Sequence, residues 1–217
     1  MVDLPKEATD RRSRSLAILA SESVPYMSQL PVIETSAEVK PRTKEEVAYR
    51  ALSLLTVALK GEGLEQQLVD DIVRKYGLTS QLTPNEAVFI ADPNPSERDR
   101  IQFTWRYECA WVLLWALRYV EELHRPDDVC DVAGAVGVMT ERTTSEFLSD
   151  ANQRSIDEIL DATDLIYRYH WAVVSARMKG QPPPAELDGG VVQERHYGLN
   201  WLIRYMDQEW DDISTDT

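Results

Sequence analysis

Basic residues and histidines are scarce in this sequence, and their scarcity excludes several kinds of protein. The chain has 23 Lys and Arg against 37 Asp and Glu in 217 residues, giving a formal net charge of -14. Binding to a phosphate backbone needs clustered Lys and Arg, so we expect no nucleic-acid partner. Histidine occurs three times, without a His-Glu-x-x-His pattern, and no Gly-Lys-Ser follows the glycines. The sequence therefore predicts no metal site and no cofactor.

Long hydrophobic runs and paired cysteines are also missing. The most apolar segment is free of charge only over residues 109–117, far short of the roughly 20 residues that cross a bilayer. The apolar run at residues 16–20 is followed by Ser21-Glu-Ser23 rather than by an export cleavage site. Cys109 and Cys130 lack metal-ligand spacing, which is typical of reduced, buried thiols. We expect a cytoplasmic protein that does not bind membranes.

The segment at residues 98–123 is the one around which the rest of the chain is organised. At 3.6 residues per turn, its large apolar side chains spread around the whole circumference of a helix, which is typical of a helix surrounded by others. These side chains are Trp105, Trp111, Val112, Leu113, Leu114 and Trp115. The sequence predicts an all-α, single-domain multi-helix bundle packed around one central apolar helix, in which Trp111 and Trp115 are largely buried.

Start and stop signals place the other helices. Thr43 with Glu46 is a capping-box pair, Thr83-Pro84 with Glu86 begins a short helix, and Ser155 begins a long one. Gly61 is expected to end the helix that begins at Thr43. Outside the central segment, the predicted helices lie at residues 6–20, 43–61, 64–77, 83–92, 129–138, 155–179 and 191–206.

The first 42 residues form an N-terminal arm in this prediction, and residues 43–217 form the helical domain. The arm has six basic and six acidic residues, so the acidic excess lies downstream. Three prolines after its helix indicate an extended segment with at most a short strand at Val32-Ile33. We expect the arm to wrap around the bundle. Its Arg11, Arg12 and Arg14 indicate either a solvated helix face or a site for an acidic partner.

Polar residues interrupt the apolar faces of three predicted helices. Asp164 and Arg168 have the i,i+4 spacing of an ion pair, while Asp157, Asp161 and Asp164 form a stripe that is typical of a solvated face rather than a ligand set. The candidate acids and bases are His170, His196, Glu108 and Glu194. The candidate anion-binding residues are Arg106, Arg168, Arg195 and Asn200.

Two interpretations of this polar set remain open. Burying an unpaired charge is costly, so these groups must find partners, line a wet cleft, or both. One interpretation is a satisfied network of ion pairs and hydrogen bonds that joins three helices. The other is a pocket in which His196 or His170 acts as acid or base and an arginine holds an anionic group.

Several short motifs, taken together, resemble a bacterial family known as a domain of unknown function. The similarity covers most of the chain from about residue 43, and it implies a mainly helical domain without supplying an activity. The motifs are Trp105-Arg-Tyr-Glu108, Leu114-Trp-Ala-Leu117, Cys130-Asp131, Glu158-Ile-Leu-Asp161 with Asp164, Tyr167-Arg168 with His170-Trp-Ala172, Ala176-Arg177, Glu194-Arg-His196 with Leu199-Asn-Trp201, and Trp210-Asp211.

Two functions follow as hypotheses. The favoured one is a non-enzymatic protein-interaction module that acts on a protein partner through its acidic surface or its arm. The alternative is a hydrolase or transferase that acts on an anionic small molecule through an Arg/His/Glu pocket between helices. A water-accessible cleft holding both His196 and an unpaired arginine would favour the enzyme, and full burial with every charge paired would favour the interaction module.

Overall fold

Helices build the whole architecture of the computed structural model, which describes residues 4–217. Within that range there is no strand, so the expected all-α bundle is confirmed and the short strand at Val32-Ile33 is not formed. Short 3-10 turns follow α3, α9 and α10. The helices are α1 (Lys6–Ser21), α2 (Lys44–Glu62), α3 (Gln66–Tyr76), α4 (Pro84–Ala91), α5 (Glu97–Thr104), α6 (Arg106–Ala116), α7 (Val132–Thr140), α8 (Thr144–Asp150), α9 (Ile156–Met178) and α10 (Gly189–Leu202).

The predicted central helix lies at the centre of the bundle as α6. It packs between α2 on one side and α10 on the other, while α9 covers α10 and α1 packs on α9. Nine of the eleven residues of α6 are buried, and the side chain of Trp115 is among them. Trp111 is only half-buried, so the expectation that both tryptophans are largely buried holds for Trp115 alone.

The central segment is shorter than predicted, and it is broken. The helix that the sequence predicts over residues 98–123 is interrupted at Trp105, which separates α5 from α6, and it ends at Ala116. Arg118 then takes a left-handed φ of 60°. The guanidinium of Arg154 donates to the carbonyl oxygens of Trp115, Val120 and Glu121. An arginine brought in from a distant loop therefore stabilises the helix end and the turn after it.

Local capping signals are confirmed. Thr43, Thr83 and Ser155 each form a complete capping box with the glutamate three residues on. Thr143 forms a fourth with Glu146 and begins α8, a helix that the sequence reasoning did not predict. The reciprocal bonds satisfy backbone N–H groups that a helix start leaves free, so these four residues fix where the helices begin.

The glycine expected to end α2 lies inside it instead. A Cβ at Gly61 would lie 2.7 Å from the backbone oxygen of Arg100 and from the Thr104 hydroxyl. The missing side chain therefore lets α5 cross α2 closely. The helix ends two residues later at Gly63, whose φ of 115° favours glycine.

Two further boundaries differ from the prediction. The helix predicted from residue 129 begins at Val132, because the Asp131 side chain accepts a hydrogen bond from the backbone N–H of Gly134 and so caps it. The last helix ends at Leu202 rather than residue 206, since Arg204 and Met206 have positive φ angles. Trp210 nevertheless docks on the body, as expected, and is buried.

The N-terminal arm packs directly on the bundle. Arg11 is 1% exposed and donates to Asp161 on α9 at 3.2 Å and to Glu7 at 2.7 Å. Arg14 also donates to Asp161, at 2.6 Å. The interpretation of these arginines as a solvated face is thus wrong for Arg11, because α9 itself supplies an acidic partner.

Candidate functional site

Arg195 and Glu108 form a buried ion pair between α10 and α6. Their side chains are 5% and 3% exposed, and Arg195 Nε lies 3.2 Å from Glu108 Oε2. Arg195 also donates to the carbonyl oxygens of Leu123 and His124, while Glu108 Oε1 accepts from the backbone N–H of Cys130 at 2.5 Å. The pair therefore holds the loop after α6 against two helices.

A second cluster joins the same two helices through neighbouring positions, Arg106 on α6 and Glu194 on α10. Arg106 donates to Glu194 Oε2 at 3.0 Å, and the Cys109 thiol donates to the same oxygen at 3.1 Å. Burial, followed by the nearby Glu194 carboxylate, raises the pKa of the Cys109 thiol well above its usual value. Burial also raises the pKa of Glu194, although the Arg106 charge opposes it. The cysteine is therefore held as a thiol, which is not a nucleophile.

The ion pair predicted from spacing, Asp164 with Arg168, is present and fully buried. Two nitrogens of the guanidinium donate to the carboxylate at 2.7 and 2.8 Å. Arg168 also donates to the carbonyl oxygen of Pro31 in the arm. One guanidinium nitrogen, Nη1, is buried without a partner in residues 4–217. The bidentate pair anchors the arm to α9 and leaves the carboxylate unavailable for other work.

The two candidate histidines contact each other. Their Nδ1 atoms lie 2.8 Å apart, with His170 on α9 and His196 on α10. Burial, with a smaller contribution from the Arg177 charge, lowers the pKa of His170 to about 4. Burial and the neighbouring His170 lower the pKa of His196 to about 3. Both imidazoles are therefore neutral near pH 7, and the hydrogen bond between them needs one Nδ1 to carry the proton and the other to accept it.

A small cavity of about 360 Å³ lies beside His196. Tyr167 and Asn200 also line it, and the amide nitrogen of Asn200 donates to the carbonyl oxygen of Ser214. Of the described residues that line this cavity, none is Arg or Lys. The structure thus brings His196 and Asn200 to an opening without any of the three candidate arginines.

A further opening lies elsewhere, at α5 and the loop before α7. This groove has a volume of about 740 Å³. Its apolar lining includes Ile101, Val129, Val132 and the ring of Trp105, and Ile101 and Val129 are exposed. Among the predicted site residues only Glu108 reaches it, and that carboxylate is already paired with Arg195.

The sequence reasoning missed a third buried pair, Arg50 on α2 with Glu86 on α4. The two are 6% and 1% exposed, and Arg50 Nη2 lies 2.5 Å from Glu86 Oε2. Arg50 lines a separate cavity of about 610 Å³. The sequence does contain a signal for burial of Arg50. Arg50 follows Val47 by three residues and precedes Leu54 by four, so it lies within the apolar stripe of α2.

No three or more His, Cys, Asp or Glu side chains converge in metal-binding geometry anywhere in residues 4–217. In the same range, no helix combines the length and apolar character that crossing a membrane requires. The described chain therefore offers ion pairs, a histidine pair and several openings as its polar and concave features.

Comparison with known proteins gives a family without an activity. No curated protein and no solved structure matches the chain. The model of one family matches residues 11–213, which includes most of the arm as well as the helical domain. The motif resemblance beginning near residue 43 therefore understated the match. On this coverage the chain belongs to the family described as a domain of unknown function, DUF4272.

Proposed function

We propose that this protein is a non-enzymatic interaction module that binds a segment of a protein partner in the groove between α5 and the loop before α7. One observation carries the proposal. Arg106, Arg168 and Arg195 are all engaged with carboxylates in the interior, whereas the opening of about 740 Å³ is a largely apolar groove that none of these three arginines lines. Interfaces are typically built around such an apolar core with a polar rim.

The chemistry of the interior gives little support to the enzyme alternative. A general base works best with a pKa near the working pH, and the pKa values of His170 and His196 are lowered to about 4 and about 3. An anionic substrate needs a free cation, and the cavity beside His196 has no Arg or Lys among its described lining residues. The buried ion pairs support a framework that joins helices rather than a catalytic pocket.

The groove favours a basic partner with large apolar side chains. Exposed Ile101 and Val129 supply apolar contact surface that water otherwise covers. Glu97 lines the groove, and the exposed Asp128 and Asp131 flank its Val129 in sequence. Arg100 also lines it but already donates to the Gly61 carbonyl oxygen. A segment with Leu, Phe or Trp between Lys or Arg residues matches this combination.

A peptide-display selection against the folded full chain tests the proposal. Selected peptides should combine large apolar residues with Lys or Arg, and their dissociation constants can be measured by fluorescence polarisation. Ile101→Gln with Val129→Gln should weaken binding about tenfold or more, because anchors at an interface centre contribute most of the affinity. The matched control is Val88→Gln with Met178→Gln, at exposed apolar positions outside the groove.

Two results would contradict this function. Equal weakening by the groove variant and its control would show that peptides bind the acidic surface without using the groove. A metabolite that raises the melting temperature in the wild type, but not in His196→Gln, would transfer support to the enzyme alternative. The second experiment examines the cavity beside His196, so it can succeed or fail independently of the first.

A further inference from the structure

A second kind of opening lies where α2, the start of α4 and the C-terminal turns meet. Its volume is about 610 Å³, within the range of roughly 300 to 1,000 Å³ common for small-molecule sites. Trp201 and Trp210 form part of its wall. The guanidinium carbon of Arg42 lies 4.9 Å from the Trp201 ring centroid, and that of Arg50 lies 5.2 Å from the Trp210 ring centroid.

The two arginines in this wall differ in how many of their N–H donors have an acceptor. Arg42 donates to the carbonyl oxygens of Trp201 and Gln208 and to the Glu209 carboxylate. Arg50 is more than nine-tenths buried, and within residues 4–217 its guanidinium donates one hydrogen bond, to Glu86. Its Nε has no partner in that range. A buried donor without an acceptor is costly, so Arg50 offers a place for an anionic group.

The rest of the lining excludes a simple anion. Glu46, Glu209, Asp211 and Asp212 also line the cavity. Arg204 pairs with Glu46 and Arg42 pairs with Glu209, so Asp211 and Asp212 add negative charge that no cation in residues 4–217 neutralises. An anion without a positive group would be repelled by this excess, and a cation alone would leave the Arg50 donor without an acceptor. A molecule with both charges satisfies both requirements.

We propose that this cavity binds a small zwitterion, such as a free amino acid. Its carboxylate accepts hydrogen bonds from Arg50, and its ammonium group faces the exposed Asp212 and Glu209. Its side chain contacts the indole rings of Trp201 and Trp210. Charge-assisted hydrogen bonds of this kind are about twice as strong as neutral ones, so both charged ends contribute to the affinity.

Isothermal titration calorimetry on the full chain, with each of the common free amino acids as the probe, tests the proposal. At least one of them should bind, and its two blocked derivatives should separate the contributions of its ends. The N-acetylated form keeps only the carboxylate and the amide form keeps only the ammonium group. Each should bind about tenfold or more weakly than the free amino acid, the equivalent of losing one charge-assisted contact.

Substitutions of exposed residues locate the site, because they are not expected to unfold the protein. Asp212→Asn with Glu209→Gln changes two exposed carboxylates and should weaken binding of the free amino acid about tenfold. Asp207→Asn is the matched control, because Asp207 is exposed and lies outside the cavity; its affinity should equal that of the wild type. Arg50→Met with Glu86→Gln removes the donor and its charged partner together, and binding should be lost.

Three outcomes would overturn the proposal. The first is that no amino acid binds at about 10 mM, a level that detects even millimolar affinity. The second is that a blocked derivative binds as tightly as the free amino acid, which would show that one charge suffices. The third is full binding by a folded Arg50→Met, Glu86→Gln variant. None of these outcomes affects the groove, whose Ile101 and Val129 lie outside this cavity.

Discussion

Two buried arginine–glutamate pairs in this molecule have similar exposure and very different surroundings. Around Arg195 and Glu108, two carbonyl oxygens and one backbone N–H add hydrogen bonds, and no buried side-chain nitrogen or oxygen of this pair lacks a partner in the described chain. Around Arg50 and Glu86, the arginine Nε and the glutamate Oε1 have no partner in the described chain. The first pair lies between packed helices, while Arg50 lines a cavity.

The difference shows that burial and pairing do not by themselves separate a framework from a site. A buried polar group is normally hydrogen-bonded, and each exception needs a physical explanation. Arg195 with Glu108 has the saturation expected of a framework that joins α6, α10 and the loop after α6. Arg50 and Glu86 each keep a buried atom without a hydrogen-bond partner in the described chain, and Arg50 lines a cavity. This is the arrangement expected of a binding site.

The largest effect is expected from breaking the saturated pair on one side. Arg195→Met leaves the Glu108 carboxylate buried without its cation, and removing one partner of a buried pair costs about 3 to 5 kcal/mol. The melting temperature should fall by roughly 2 to 4 °C for each kcal/mol in a chain of this size. Urea denaturation followed by tryptophan fluorescence measures the loss in the free energy of unfolding.

Arg98→Met is the matched control for this variant, because Arg98 is exposed on α5. Exposed substitutions usually change stability by less than about 0.5 kcal/mol. An unchanged melting temperature in Arg195→Met would show that the pair is not a framework and would reopen the enzyme alternative.

The second effect comes from pH and the histidine pair. The pKa values of folded His170 and His196 are lowered to about 4 and about 3, so between pH 6.5 and those values the unfolded chain binds more protons. The contribution of these two histidines to the free energy of unfolding is therefore fully present above about pH 6.5 and is lost as the pH falls. Between pH 7 and pH 5 the two histidines together should lower the free energy of unfolding by about 4 kcal/mol.

Urea denaturation at pH 7 and at pH 5 measures this loss. The interval avoids the carboxyl groups of lowered pKa, such as Glu158 at about 2, whose contribution disappears only at lower pH. In His170→Gln with His196→Gln, the difference between the two pH values should shrink to less than about 1 kcal/mol. A difference as large as that of the wild type would mean that other groups cause the loss.

The sequence predicted well the features that depend on residues close together in the chain. The helix starts at Thr43, Thr83 and Ser155 and the pair of Asp164 with Arg168 involve residues three or four apart, and helix geometry brings such residues together without any knowledge of the fold. The central position of α6 was also predictable, because apolar side chains surround it on all sides.

Features that depend on contacts between distant segments could not be predicted in the same way. Arg195 and Glu108 are 87 residues apart, and Arg50 and Glu86 are 36 apart, so no local spacing pairs them. The early end of the central helix depends on Arg154 from another loop. The sequence could identify Arg195 as a polar residue on an apolar face, but only the packing supplies its partner.

The smallest effect on stability is expected where the unsaturated pair is replaced as a unit. Arg50→Met with Glu86→Gln removes both charges at similar volume, and Gln can still accept the capping bond that Glu86 Oε2 takes from the Thr83 N–H. Replacing a whole buried ion pair is often neutral, and residues kept for binding are often held at some cost to stability. The free energy of unfolding should change by less than about 1 kcal/mol.

The corresponding double variant of the saturated pair, Arg195→Met with Glu108→Gln, separates the two regions. Both variants remove two opposite charges, so charge alone predicts equal results. The second variant also leaves the Leu123 and His124 carbonyl oxygens without the arginine that binds them, and stranding buried polar groups costs about 1 to 3 kcal/mol each. Its free energy of unfolding should therefore fall by at least about 2 kcal/mol more than that of the Arg50 variant in the same urea denaturation. Equal losses would mean that the unused hydrogen-bonding capacity of Arg50 and Glu86 does not distinguish a site from a framework.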